Sequence, residues 1–569
     1  MKLTVTVLAL CLGCSPAVPA PEPSSEPSSE PSSDVVSADP VSEDPPVPES
    51  EDPVEPSSEC VLYSFTLFAG EDEVEAVINQ EEGTVSFEYG YDQRAALKAA
   101  TAEAKVSPGA KVSPDITVSR DWLRPGTQIK VTAEDGTTSR KYSFTSSVLP
   151  APRPKKPLIM WVDAANSYRY INTPEGVDNI VQKIYDGGFT GIALEVKPPV
   201  SGDVLYFKSD HLGYASTLEG GRVVNQSFDL LQAFIDACHS REMTLTVSYC
   251  IFTFAEPTST KSRQYYEENL RDAFCKQLLT ASPGDEGYIG NGTSKGVKIE
   301  DIRVHPADYW FLSPSHPAVH EYVTDMVKEI VTNYDIDGFA LDYCRYPNIR
   351  SDFSEYSRAA FEEYLGREVE NWPTDFITVT SDDNMGTYTV RNQALFQDWM
   401  AWRAKVIQGY VIDIRDIVKS IKPSVALEAW AACWYQFRNE VGQNWGSYES
   451  NWASTHYSWA NEAYDHAGYA EYLDIFHLGN YVTRIYGKSE SDWSMEYFTY
   501  LAGKVVGDAC SMYNSFGLYT GISCDEATYY SYLNYDGVMI FELGTFESGQ
   551  YYDSVKSGYC RAMRELGEL

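Results

Sequence analysis

The chain lacks the short motifs that identify many metal-dependent enzymes. From Cys60 to Cys560 its nine cysteines stand singly, without a C-x-x-C pair, and the sequence contains no H-E-x-x-H motif. Zinc sites usually need such spacings. An odd number of scattered cysteines favours buried thiols over a disulfide framework. We therefore expect no cofactor and no catalytic metal. The sequence leaves open whether loop carboxylates bind a structural calcium ion.

Basic residues and long apolar runs are also scarce. The 569 residues contain 44 Lys and Arg against 82 Asp and Glu, a net charge of -38, which disfavours nucleic acids and anionic lipids as partners. After the first dozen residues, no apolar run reaches the ~18 residues that a membrane-spanning helix needs. The sequence predicts a globular protein of two or three domains. It does not determine the oligomeric state. Its 41 Tyr and 12 Trp provide flat faces that suit sugar rings.

The first 58 residues predict an export signal followed by a tether. An apolar run after Lys2 ends in Leu12-Gly13-Cys14, which resembles a bacterial lipobox with Cys14 as the lipidated residue. An ordinary secretory signal is the alternative. Residues 15–58 contain twelve Pro, twelve Ser and eleven acidic residues without Lys or Arg, a composition typical of disordered tethers. We expect residues 1–14 to be a lipoprotein signal peptide and the protein to be anchored in the bacterial cell envelope, at the cell surface or the periplasmic face.

Residues 59–149 predict a β-sandwich. Short segments with period-two alternation are separated by turns, among them the hairpin signal Asp135-Gly136. The segment AEDGTTSRKYSFT at 133–145 resembles bacterial immunoglobulin-like domains, which implies a spacer or docking role. A carbohydrate-binding module with Trp122 as its stacking residue is the alternative. Four prolines at 150–157 predict a linker.

Residues 158–569 predict an α/β fold, a (β/α)₈ TIM barrel. Apolar strand-like segments alternate with helical segments, and no Gly-rich phosphate loop supports the alternative, a doubly wound sheet. The predicted strands are Leu158–Asp163, Gly191–Lys197, Leu245–Ile251, Gly338–Tyr343, Val425–Trp430, Ile475–Tyr481, Leu518–Ser523 and Gly537–Leu543. Predicted helices include Gly176–Tyr185, Phe228–Arg241, Val319–Asn333, Asn392–Ile421 and Trp493–Tyr513.

Acidic residues near the predicted strand ends are candidates for chemistry, because the active sites of such barrels lie at the C-terminal ends of the strands. Alternation places Asp342 on the face of Gly338 and Ala340, either as a reactive carboxylate or as a structural partner of Arg345. Glu428 on the fifth strand shares a face with Trp430. Other strand-end acids are Asp163, Glu195 and Glu542. Glycoside hydrolysis needs two carboxyl groups in different protonation states.

The segment SPSHPAVHEYVTDMVKEIVTNYDIDGFALDYCRYP at 313–347 resembles the glycosyl-hydrolase-10-like family of bacterial proteins. The second strand agrees, with Lys197 where the family usually has Arg and the sequence GDVLY at 202–206. This resemblance covers about residues 156–569 and implies a barrel with glycosidase activity. The string DGFALD also resembles the fourth-strand motif of the α-amylase clan, which implies Asp342 as nucleophile and Glu428 as acid/base. Ala340 stands where that clan has Arg.

The sequence thus predicts an enzyme, a glycosidase that hydrolyses an oligo- or polysaccharide with the paired carboxylates Asp342 and Glu428. The alternative is a non-catalytic glycan-binding surface lipoprotein. The insertion at 257–300 is expected to shape the cleft. Candidate substrate-binding residues are Asp163, Glu195, Lys197, Arg345, Tyr346, Trp430, Trp434, Asn480, Tyr481 and Glu542, with Trp161 as a further sugar platform or a core residue.

Overall fold

The computed structural model describes residues 55–203, 206–218, 222–304, 310–382 and 387–569. The predicted signal peptide with Cys14, and the tether as far as residue 54, lie outside the described residues. The chain divides into two compact units, of which the second contains residues 88–99 and 146–569. Within the described ranges, no helix combines the length and apolar character that crossing a bilayer requires.

The first unit is built from two β-sheets. Phe65, Trp122 and Phe144 pack together with ring centroids 4.9 to 5.2 Å apart. The buried indole of Trp122 donates a hydrogen bond to the carbonyl of Ala100 at 2.9 Å, so this ring belongs to the core and offers no stacking face. One sheet has the order Asp72–Glu75, Leu62–Ala69, Thr101–Val106, and the other Val77–Asn79, Thr84–Tyr89, Ser139–Val148, Gln128–Thr132, Lys111–Ser113.

The second unit confirms the predicted TIM barrel, because eight parallel strands close into one barrel in chain order. Their apolar residues are buried on both faces, as parallel strands beneath helices require. The first to eighth barrel strands are Leu158–Val162, Gly191–Lys197, Thr244–Cys250, Gly338–Asp342, Ala426–Ala432, Ile475–Gly479, Ser511–Gly517 and Gly537–Phe541.

Helices surround the barrel, and several begin at side-chain caps that the sequence contains. Thr173 accepts a hydrogen bond from the backbone N–H of Gly176, and Asn392 caps the helix that precedes the fifth strand. The α-helices of this unit are Arg94–Leu97, Ala164–Ile171, Pro174–Asp186, Leu230–His239, Thr260–Tyr265, Pro317–Asn333, Glu355–Leu365, Gln393–Ile421, Trp452–His456, Glu462–Asp465, Met495–Val505, Cys524–Asn534, Leu543–Gly549 and Tyr552–Glu565.

The seventh strand corrects the sequence prediction. It runs over Ser511–Gly517 rather than Leu518–Ser523, and the helix predicted over Trp493–Tyr513 already ends at Val505. The strand contains polar residues whose partners come from distant segments: Asn514 donates to Ser531 at 2.6 Å. A search for apolar runs misses such a strand, because tertiary hydrogen bonds satisfy its polar side chains.

Hairpins extend the loops at the C-terminal ends of the strands. Within the insertion at 257–300, the backbone N–H of Lys276 donates to Asp352 at 2.7 Å, and that of Leu278 donates to the carbonyl of Arg350. The insertion is therefore fastened to the loop that follows the fourth strand. The hairpin strands of this unit are Thr217–Leu218 with Arg222–Val223, Thr253–Phe254 with Trp310–Phe311, Lys276–Ala281 with Gly296–Asp301, and Ile377–Val379 with Tyr388–Val390.

Candidate active site

Asp342 is the last residue of the fourth strand, and Glu195 of the second strand is an acidic neighbour. One carboxylate oxygen of each lies within 4.8 Å of the other and of the Cys250 sulfur. Asp342 accepts a hydrogen bond from the backbone N–H of Tyr343 at 2.7 Å, and the Cys250 thiol lies 3.9 Å from its other oxygen. Both acids keep a small exposed fraction, 8% for Asp342 and 6% for Glu195.

The two acids differ in the charges around them. Burial raises the pKa of Glu195 well above its usual range, and the nearby carboxylates of Asp163 and Asp342 raise it further. Burial also raises the pKa of Asp342 to about 6, while the Tyr343 N–H and the Arg345 guanidinium hold it down. The surroundings therefore favour the protonated form of Glu195 more strongly than that of Asp342, and such a difference is what an acid and a nucleophile need.

Asp163 and Glu542 lie at the ends of the first and eighth strands and cap the helices that follow. Asp163 accepts a hydrogen bond from the N–H of Asn166 at 3.0 Å, and Glu542 accepts from the N–H groups of Gly544 and Thr545. Burial, together with the charge of Glu542, raises the pKa of Asp163 to about 6. Hydrogen bonds to the helix N-termini hold both carboxylates in place. The charges of these two carboxylates raise the pKa of Glu195.

Glu428 lies deeper in the barrel than Asp342. It pairs in register with Ala340, two residues before Asp342 along the fourth strand. One carboxylate oxygen accepts a hydrogen bond from Thr246 at 2.8 Å, and the other lies 2.6 Å from Nε2 of His477. These partners occupy both oxygens, so the acid/base role of Glu428 stays a prediction that the geometry favours less than the same role for Glu195.

Lys197 stands two positions after Glu195, and its charge lowers the pKa of that acid, but alternation does not continue between the two residues. The pairing register shifts between them, so that Lys197 lies opposite Tyr249, and such a bulge reverses the side-chain direction. The ammonium group donates to the carbonyls of Cys250 and Thr253, and burial lowers its pKa to about 8. Alternation along the sequence cannot reveal this irregularity.

Arg345 lies against the ring of Tyr343 at 4.9 Å and donates to the carbonyls of Tyr346 and Pro347. Its charge still acts on Asp342. The ring of Tyr346 is fully buried, with the guanidinium of Arg403 4.5 Å from its centroid. Arg345 thus remains beside the acids, whereas Tyr346 is packed in the core.

Aromatic rings form the other side of the barrel mouth. The ring centroid of Tyr481 lies 5.2 Å from that of Trp430, 5.6 Å from that of Tyr519 and 5.5 Å from that of Phe541. These four side chains are half-buried, and Trp161 packs behind Phe541 at 6.4 Å. The sequence analysis missed Cys250, Tyr519 and Phe541. For Cys250 and Phe541 their positions at strand ends were the available signal.

Two further candidates lie away from the acids. Asn480 is fully buried and donates to Asn514 at 2.7 Å and to Tyr535 at 3.1 Å, outside the barrel wall. Trp434 follows the fifth strand and stacks on Trp493 with centroids 6.0 Å apart. The geometry therefore assigns Asn480 to packing and Trp434 to a second aromatic group.

The donor atoms of Glu195, Cys250 and Asp342 are close enough to surround one cation. A cation would have to displace protons from groups whose pKa values burial raises. The same trio is suited without a metal to proton transfer, because Glu195 holds its proton more strongly than Asp342 does.

Comparisons with known proteins agree with the resemblance seen in the sequence. A family model described as "Glycosyl hydrolase-like 10" matches residues 159–461, and one described as "SGBP, N-terminal" matches residues 63–145. An S-layer-related protein of Niallia circulans is 28% identical over 345 residues, which are 58% of this chain and 20% of that protein. The chain thus spans about a fifth of that curated relative.

Solved structures with a related chain path include two glycan-degrading enzymes. The PgaB (BpsB) glycoside hydrolase domain from Bordetella bronchiseptica is 13% identical, with a TM-score of 0.47 over 71% of this chain and 98% of that chain. The catalytic domain of β-amylase from Paenibacillus polymyxa is 10% identical, with a TM-score of 0.41 over 73% of this chain and 98% of that chain.

Proposed function

Because the chain belongs to the glycosyl hydrolase-like 10 family, we propose that it is a glycoside hydrolase that cleaves an oligo- or polysaccharide with Asp342 and Glu195 as its catalytic pair. The observation that supports this proposal most directly is the approach of the two carboxyl groups to within 4.8 Å at the barrel mouth. Carboxyl groups ~5–5.5 Å apart are typical of retaining glycosidases, and ~6.5–9.5 Å of inverting ones. A retaining mechanism follows.

In the first step the ionised Asp342 attacks the anomeric carbon while Glu195 donates its proton to the glycosidic oxygen. The bond between the anomeric carbon and the glycosidic oxygen breaks, and the leaving sugar departs as an alcohol. An ester then joins Asp342 to the remaining sugar. In the second step the Glu195 carboxylate takes a proton from water, whose oxygen attacks the anomeric carbon and releases Asp342. Glu195 is then protonated again, ready for the next turnover.

The surroundings of each acid match its role. The Tyr343 N–H and the charge of Arg345 favour an ionised Asp342, whereas the carboxylates of Asp163 and Glu542 favour a protonated Glu195. Across the mouth, Tyr481 and Trp430 offer half-buried ring faces for a sugar.

The test compares Asp342→Asn, Glu195→Gln and Glu428→Gln on a panel of 4-nitrophenyl glycosides and polysaccharides. We expect the first two variants to lose about 10²–10⁴-fold or more in kcat/KM. Glu428→Gln serves as the matched control, because the buried contacts of Glu428 with Thr246 and His477 make thermal stability the property it changes most. If Glu195→Gln kept full turnover while Glu428→Gln lost it, the pair predicted from the sequence would replace the pair proposed here.

A non-catalytic glycan-binding protein is the second candidate, and the match of residues 63–145 to the "SGBP, N-terminal" model favours it. The two candidates differ in one measurement. A binder would be retarded in a gel that contains its polysaccharide without producing reducing ends, whereas the proposed enzyme produces them.

We also propose a cell-envelope location, which the same N-terminal match and the S-layer-related relative support. Cys14 would carry the lipid anchor, and the Pro- and Ser-rich residues 15–58 would hold the folded units away from the membrane. The substitution Cys14→Ser should move the protein from the membrane fraction to the soluble fraction. Unchanged fractionation would exclude anchoring through Cys14.

A further inference from the structure

A second aromatic group lies on the loops after the fifth and sixth barrel strands. Trp493 stacks on Trp434 with an interplanar angle of 20°, and its centroid lies 6.3 Å from that of Phe437. Trp434 is nearly buried, whereas Trp493 is half-buried and Phe437 is 47% exposed. Trp434 therefore supports the ring of Trp493, which in turn contacts Phe437, and we name Trp493 and Phe437 the outer platform.

Trp434, on which Trp493 of the outer platform stacks, lies close to the barrel mouth. Trp430 lines the mouth beside Tyr481, and only three residues separate it from Trp434. Four residues of extended chain span at most about 14 Å, so the two aromatic groups lie a few sugar residues apart. A sugar chain that leaves the mouth on this side would reach Trp493 next.

The loops that present the platform are held in place by hydrogen bonds. Gln436 donates to Glu490 at 3.2 Å, which joins the two loops directly beneath the rings. Ser494 donates to the carbonyl of Gly487 at 2.6 Å. Trp493 has a backbone φ of 48°, a left-handed conformation that is costly for a large residue and is maintained only by its surroundings. Such fixed rings lose little entropy when a flat ligand stacks on them.

The charges point to an uncharged occupant. Around the mouth stand Asp163, Glu195, Asp342 and Glu542, and the whole chain carries -38. Near the platform, the guanidinium of Arg438 lies over the ring of Trp434 at 5.4 Å, and Arg484 pairs with Asp492 at 3.4 Å. An anionic polysaccharide would be repelled by the acids, whereas a neutral pyranose presents C–H faces to aromatic rings without a charge penalty.

We infer that Trp493 and Phe437 form a distal subsite that binds a pyranose residue of a neutral polysaccharide whose neighbouring segment occupies the mouth. This inference rests on the proposed function, because it extends the proposed cleft outward. It makes the substrate a polymer, held at two aromatic groups, and it places Trp434 beneath the sugar as a support.

The experiment measures binding without turnover, by affinity electrophoresis of Asp342→Asn in gels that contain hydroxyethylcellulose, xyloglucan, galactomannan or amylopectin, with polygalacturonate as the anionic comparison. Trp493→Ala and Phe437→Ala are added separately to this background. Tyr356→Ala is the matched control, because Tyr356 on the helix Glu355–Leu365 has the same 47% exposure as Phe437. Phe437→Ala keeps the test independent of folding, since about half of its side chain is exposed.

We expect at least one neutral polymer to retard the Asp342→Asn protein, Trp493→Ala to raise Kd about tenfold, Phe437→Ala to raise it about threefold, and Tyr356→Ala to leave it unchanged. Equal retardation of all variants, retardation by polygalacturonate alone, or no retardation by any neutral polymer would overturn the subsite. Hydrolysis of 4-nitrophenyl glycosides by the unaltered protein reports separately on the proposed function, so failure of one is distinguishable from failure of the other.

Discussion

Replacing Asp342 by Asn should stabilise the fold while it abolishes hydrolysis. In the folded protein, burial raises the pKa of this carboxyl from 3.8 to about 6. A difference of this size costs about 3 kcal/mol of unfolding free energy when the group is ionised at pH 7. Asn mimics the protonated acid in shape and keeps an oxygen that accepts the Tyr343 N–H, so the variant avoids this cost.

The sign of the effect gives the prediction a pH dependence. The folded protein binds the Asp342 proton more tightly than the unfolded chain does, so the cost of ionisation is complete near pH 7 and declines as the pH falls through about 6 toward 3.8. The variant should therefore gain about 3 kcal/mol at pH 7 and less than about 1 kcal/mol near pH 4. Such a gain is expected where a site sacrifices stability for function.

The assay is urea denaturation at both pH values, followed by tryptophan fluorescence. Eleven of the twelve tryptophans belong to the second unit, so the signal reports the barrel. Asp508→Asn, at an exposed turn, is the control and should change the free energy of unfolding by less than about 0.5 kcal/mol. A less stable Asp342→Asn variant at pH 7, or a gain that is equal at both pH values, would refute the electrostatic account of the site.

Three further predictions concern the same barrel. On the acidic side, kcat/KM should fall tenfold per pH unit below about 6, where Asp342 becomes protonated. Arg345→Met should move this fall to higher pH, because the variant removes the charge that lowers the pKa of Asp342. A pH–rate profile without such a fall between pH 5 and 7 would contradict this prediction. Gly338→Ala should destabilise the barrel by about 1–3 kcal/mol in thermal or urea unfolding, because the added Cβ would overlap the Glu428 carboxylate. An unchanged free energy of unfolding would show that Glu428 can move aside. Tyr481→Ala should raise KM about tenfold with a smaller change in kcat if its ring holds the sugar, and a loss in kcat alone would assign it another role.

Much of the barrel followed from local patterns. Apolar runs such as Gly191–Lys197 and Gly338–Asp342 are buried on both faces, so their strand character is visible without a partner. The seventh strand, Ser511–Gly517, could not be found in this way, because Asn514 and Ser515 are tolerated only through partners on other elements. Trp122 likewise required the fold to decide between core and surface.

The candidate site divides in the same manner. Asp342 was identified from strict alternation on a short strand, a property of the strand alone. Glu195 was recognised as a strand-end acid, but its approach to Asp342 depends on how the second and fourth strands tilt around the barrel. The bulge after Glu195 directs the ammonium of Lys197 to backbone carbonyls, and contacts with Thr246 and His477 hold Glu428 inside. Neither feature can be recognised from the local sequence.

The amino-acid sequence by itself determined the acidic character, the separation into a β-rich unit and a barrel, and the carboxylate at the end of the fourth strand, because each depends on composition or on neighbours along the chain. Only the tertiary structure decided which acid stands beside Asp342 and which aromatic rings stand opposite. Those choices depend on strand register and barrel closure, which bring together residues that are far apart in the chain, such as Glu195 and Asp342.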